Sequence, residues 1–107
     1  MILFLKNITG KVFKILPLKE ENNIGFYDYV DSILVQLIGA KNTFSELENN
    51  QDFLTVINII QYIKNNKCSN KQCKREIFKC LNIIQKITEE QEGWFWIGFY
   101  IIIELML

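Results

Sequence analysis

Residues 71–88, KQCKREIFKCLNIIQKIT, carry the clearest structural signal in the sequence. Their apolar residues recur every three or four positions, which at about 100° per residue places them on one side of an α-helix. The charged residues fall on the opposite side. Ser69 or Asn70 can cap the start of the helix. We therefore expect a helix over about residues 71–88 with this buried stripe: Ile77, Cys80, Leu81, Ile84 and Ile87.

The same spacing predicts two further helices upstream, over about residues 25–40 and residues 51–65. Between them, Thr43 and Glu46 have capping-box spacing and predict a short helical turn. Asn49 and Asn50 interrupt that turn, because both side chains compete with the helix for hydrogen bonds to nearby backbone groups. The predicted buried stripes are Phe26, Val30, Ile33, Leu34 and Leu37 in the first helix, and Phe53, Val56, Ile57, Ile60 and Ile63 in the second.

The N-terminal residues have the pattern of extended chain. Residues 2–6 and 11–16 are short apolar runs, and the connection between them ends at Gly10, as hairpin loops often do. Pro17 lacks a backbone donor, which favours a strand end or sheet edge. The predicted fold class is therefore α+β and mainly helical, in a single domain of residues 1–107. It combines an N-terminal extended pair or hairpin, three principal helices, and a hydrophobic C-terminal segment packed on the core.

Residues 94–107 form a run of aromatic and β-branched residues without a helical period. A helix over this run would measure about 21 Å, which is short of a hydrocarbon layer of about 30 Å. No lysine or arginine flanks it, which disfavours a bilayer-spanning anchor. Internal packing is the favoured interpretation, with burial against a partner and membrane association as the alternatives.

Composition excludes several classes of enzyme. The chain contains no histidine, which removes serine–histidine hydrolases, cysteine–histidine proteases, H-E-x-x-H metalloproteases and histidine-bearing zinc deaminases. Gly93 and Gly98 have Walker-like separation, but Phe99 follows where lysine is required. Asp28 and Asp31 offer too few oxygen ligands for a hard cation. We expect no enzyme activity, catalytic residue, cofactor or metal site.

The three cysteines are predicted to be core residues. Cys68, Cys73 and Cys80 match no usual zinc-ligand spacing. On one helix, Cys73 and Cys80 stand about 10 Å apart along the axis, beyond the reach of a disulfide. Neighbouring cations could favour a Cys73 thiolate, but no histidine is present to act as a base. An odd number of thiols without a recognisable secretory signal predicts a cytoplasmic protein.

The charge distribution provides the one candidate binding surface. The chain has 12 basic and 12 acidic residues, yet residues 64–88 hold seven basic residues and one acidic residue. Helical spacing gathers the basic residues of the third helix on one face that also contains Asn82 and an aromatic ring. The plainer interpretation is a solvated lysine face whose ring is covered by a neighbouring element. The candidate partner-binding residues are Lys71, Lys74, Arg75, Phe78, Lys79 and Lys86.

These features predict a non-catalytic interaction or regulatory protein that presents this basic face to a macromolecular partner. A protein with an acidic surface is favoured, because one arginine and zero net charge suit nucleic acid poorly. Nucleic-acid binding through the same helix is an alternative. Membrane association through residues 94–107 is a second alternative, and the oligomeric state stays open.

Overall fold

The computed structural model describes residues 1–22, 24–65 and 68–92, and these residues form α-helices and no strand. The described ranges contain six helices: α1 (Ile2–Phe13), α2 (Ile15–Glu20), α3 (Phe26–Thr43), α4 (Ser45–Glu48), α5 (Gln51–Asn65) and α6 (Asn70–Glu92). Helix α6 packs against α5, α1 and α2, and α3 packs against α5.

The predicted N-terminal hairpin, and with it the α+β class, is wrong. Helices α1 and α2 occupy this region, and Leu5, Ile8 and Val12 are buried at helical spacing. Gly10 lies on the exposed side of α1 and makes no turn. Pro17 is the third residue of α2, within the first turn, where its missing N–H costs no helical hydrogen bond.

The three principal helices are present with the predicted buried faces. Every residue of the three predicted stripes is buried, together with Ile59 of α5. These residues and the apolar faces of α1 and α2 form one hydrophobic cluster. Because full burial of one such side chain contributes about 1.5–3 kcal/mol, the cluster is the main stabilising feature of the fold.

The short helix α4 is present, but the predicted capping box is absent. Thr43 is the last residue of α3, and its hydroxyl donates a hydrogen bond to the Gly39 carbonyl at 2.8 Å. Phe44 occupies the position before α4. Asn50 marks the start of α5, because its Oδ1 accepts a hydrogen bond from the Phe53 N–H at 3.1 Å.

Helix α6 begins with a complete capping box. Ser69 Oγ accepts a hydrogen bond from the Gln72 N–H at 3.2 Å, and Gln72 Oε1 accepts one from the Ser69 N–H at 3.1 Å. Of the two predicted caps, Ser69 is therefore the one used. The helix extends to Glu92, four residues beyond the predicted end.

The prediction for residues 94–107 falls outside the described residues. Among the helices of the described ranges, none combines the length and apolar character needed to cross a membrane.

Candidate partner-binding surface

The basic residues of α6 form a row along its exposed side. Lys71, Arg75 and Lys79 are exposed and follow one another at intervals of four residues, and Lys86 continues the row. We call these four residues the basic ridge. Fifteen residues of helix separate its ends, so the ridge is about 22 Å long. Asn82, also exposed, lies between Lys79 and Lys86.

Two of the six candidate residues lie beside the ridge rather than on it. Lys74 and Phe78 are half-buried, and the Phe78 ring packs against the hydrophobic cluster. This packing reduces the ring surface that a partner could contact. The structure therefore places four of the five candidate cations in one row and leaves Lys74 and Phe78 at its edge.

Lys86 already has a partner within the protein. Its Nζ lies 3.1 Å from Asp52 Oδ2 of α5, and both side chains are partly exposed. The hydrogen bond to Asp52 and its negative charge raise the pKa of Lys86, with a smaller contribution from Glu90. Part of the charge of this end of the ridge is therefore neutralised.

The remaining three cations are directed to solvent. Across the described part of the chain, Lys71, Arg75 and Lys79 take part in no ion pair. Pairs of like charge four residues apart destabilise a helix by a few tenths of a kcal/mol, and this row contains two such pairs. The arrangement therefore concentrates positive potential at a cost to helix stability.

The charges of α6 also oppose its helix dipole. The first turn holds no acidic residue and the last turn no basic residue. Lys71 and Arg75 instead lie near the positive N-terminus, while Glu89 and Glu90 lie near the negative C-terminus. Charges in the favourable arrangement typically contribute about 0.3–1 kcal/mol each, so this sequence forgoes that stabilisation. The dipole and the side chains reinforce each other in making the first half of α6 positive.

All three cysteines are buried, as predicted. Burial raises the pKa of Cys73 to about 11, with a smaller contribution from Cys68, and burial raises the pKa of Cys80 as well. Because the thiolate is the nucleophile and the metal ligand, the raised pKa disfavours metal binding by Cys73 and Cys80 and their attack on an external substrate. Within the described ranges, no three His, Cys, Asp or Glu side chains are grouped in a way that could hold a metal ion.

Sequence reasoning missed a surface depression of about 270 Å³ at the corner between α2 and α3. Lys19 Nζ lies 5.3 Å from the centroid of the Phe26 ring, and the rings of Phe26 and Tyr27 form a T-shaped pair. Asn22 has a φ of 52°, a left-handed conformation that asparagine tolerates. The feature of the sequence that could have indicated this depression is the Asn-rich connector before the aromatic pair Phe26 and Tyr27. The residues that line the depression are Leu18, Lys19, Asn22, Ile24, Phe26 and Tyr27.

No family model, curated protein or solved structure matches this chain.

Proposed function

We propose that this protein is a non-catalytic interaction or regulatory protein of the cytoplasm whose basic ridge binds an acidic surface of a protein partner. The observation that carries the proposal is the row of exposed cations on α6, placed where both the helix dipole and like-charge repulsion disfavour them. A helix selected for stability alone would place acidic residues in its first turn. A cytoplasmic location is in keeping with three free cysteines.

The spacing of the ridge suits regularly placed carboxylates. Lys71, Arg75 and Lys79 are each separated by one helical interval of about 6 Å along the axis. An acidic helix with a glutamate at every fourth position repeats at the same interval. The guanidinium of Arg75 can bind a carboxylate through two hydrogen bonds, so it is the central contact of the proposed interface.

The number of available cations favours protein over nucleic acid. Among the residues that the structure describes, Lys71, Arg75 and Lys79 take part in no ion pair, whereas Lys86 is paired with Asp52. Three neutralised phosphates on duplex DNA give a salt-dependence slope of about −2.7, well short of proteins that make six to ten phosphate contacts. Half-burial of Phe78 against the hydrophobic cluster also reduces the ring surface available for base stacking.

Fluorescence anisotropy with labelled probes tests the proposal. The probes are a helical peptide with glutamate at every fourth position and a DNA duplex of the same net charge. We expect the double variant Arg75→Gln/Lys79→Gln to weaken peptide binding at least tenfold at low salt, because it removes two of the three available cations. The variant Lys14→Gln/Lys41→Gln makes the same change in net charge on other faces and should retain binding.

Three results would contradict the proposal. Equal binding by the two double variants would mean that the ridge is merely solvated. No peptide binding by the unmodified protein at low salt would have the same meaning. Tighter binding of the duplex than of the peptide at physiological salt would favour nucleic acid as the partner.

A further inference from the structure

The start of α6 brings two of the three thiols together. With Ser69 as the N-cap of the capping box, Cys68 occupies the position before the cap and Cys73 the fourth position of the helix. Apolar side chains at these two positions pack against each other and fix the entry of the chain into a helix. Both side chains are buried there, Cys73 fully and Cys68 to 8% exposure, so the two thiols pack against each other as these positions direct. In keeping with this proximity, Cys68 contributes to the raised pKa of Cys73.

We propose that Cys68 and Cys73 are an oxidisable pair that a hydroperoxide converts into an intramolecular disulfide. Any two apolar side chains would fulfil the packing role, whereas two thiols in contact can also form a covalent bond. In a reducing compartment such a disulfide is transient and typical of redox sensing. The proposal is independent of the partner of the basic ridge.

The step balances with hydrogen peroxide as the oxidant. The Cys68 sulfur attacks one peroxide oxygen, which gives a sulfenic acid and releases the other oxygen as water. The Cys73 sulfur then displaces the hydroxyl group from Cys68, forms the S–S bond, and releases a second water. Two thiol hydrogens are removed, the two sulfurs together lose two electrons, and the peroxide gains them.

The order of attack follows from accessibility. Cys68 is the more exposed thiol, so it reacts first with the oxidant. Cys73 is fully buried, so it reacts with the Cys68 sulfenic acid rather than with the oxidant. The raised pKa of Cys73 slows this attack, but the attack is intramolecular and joins two side chains that already pack against each other. Cys80 lies two helical turns beyond Cys73, about 10 Å along the axis, where disulfide geometry cannot be reached.

Mass spectrometry of the folded full-length protein tests the pairing. Treatment of the reduced protein with stoichiometric hydrogen peroxide should lower the number of titratable thiols from three to one. The mass should fall by two hydrogen atoms, and dithiothreitol should reverse both changes. Trypsin cleaves after Lys71, between the two cysteines, so residues 68–71 and 72–74 should be recovered as two peptides joined only by the disulfide.

Matched variants identify the participating thiols. Cys80→Ala should retain the linked peptides, and Cys68→Ala should abolish them. If Cys80→Ala does not fold, the peptide map of the unmodified protein still shows which residues are joined. The proposal is overturned if all three thiols still titrate after treatment, if the mass rises by added oxygen instead, or if the linked peptides contain Cys80 or come from two chains.

Discussion

Gly10 lies on the exposed side of α1, and a β-carbon added there would have no heavy atom within 4 Å. Glycine in a helix interior costs about 0.5–1 kcal/mol relative to alanine, because more backbone freedom is lost on folding. We therefore expect Gly10→Ala to raise the free energy of unfolding by about this amount. Urea denaturation followed by circular dichroism measures the change.

The same substitution distinguishes a helix from a turn at this position. In a hairpin loop that needs a left-handed residue, alanine would be strained and the variant would be less stable. Gly39 is the matched control, because it lies exposed within α3 and is equally free of neighbours. Gly39→Ala should be stabilising to a similar degree. A loss of stability in Gly10→Ala alone would contradict the helical assignment of α1.

At the scale of the element, α6 exchanges stability for positive charge. Lys71 lies in the first turn, where an acidic residue would interact favourably with the helix dipole and with Arg75 four residues later. We expect Lys71→Glu to raise the free energy of unfolding by about 0.5–1 kcal/mol and to weaken binding of the glutamate peptide. Parallel denaturation and anisotropy measurements show whether the two effects occur together.

Lys79→Glu is the control for this exchange. It removes a cation from the same ridge, but it lies beyond the first turn, where the dipole has little effect. Peptide binding should therefore weaken as in Lys71→Glu, with a smaller gain in stability. Unchanged binding in Lys71→Glu would mean that the first turn does not contribute to the partner surface.

The success of sequence reasoning varied with the length of the element. Residues 51–65 were predicted with the observed bounds, because fifteen residues contain about four turns of one apolar stripe. Residues 2–6 and 11–16 were misassigned because short Ile- and Leu-rich runs fit either a strand or a buried helix. Gly10 was taken for a turn, although an exposed glycine is tolerated in a helix.

The candidate surface was predicted in part for a related reason. Helical spacing places Lys71, Arg75 and Lys79 on one face without knowledge of any neighbouring helix. The half-burial of Phe78 and the pairing of Lys86 with Asp52 depend on the helices packed against α6. The residue spacing within α6 carries no information about the position of those helices. The positions of Cys68 and Cys73 relative to the helix start likewise depend on whether Ser69 or Asn70 is the cap, and the sequence left both open.

At the scale of the whole molecule, α6 is the central packing element. It contacts α1, α2 and α5, and the buried residues of the described helices form one cluster. Leu81 of α6 is fully buried, and truncating such a side chain typically costs about 2–5 kcal/mol. Because small domains are stable by only about 5–15 kcal/mol, this loss is a large fraction of the total.

We therefore expect Leu81→Ala to lower the free energy of unfolding by about 2–5 kcal/mol while unfolding stays cooperative. Ile38→Ala on α3 is the control, because Ile38 is 43% exposed and its truncation should cost about 1 kcal/mol or less. Urea unfolding followed by far- and near-ultraviolet circular dichroism should give coincident transitions for both variants. Separated transitions in Leu81→Ala would mean that the helices around α6 unfold independently, and the packing of three helices on α6 would then not be the basis of the fold.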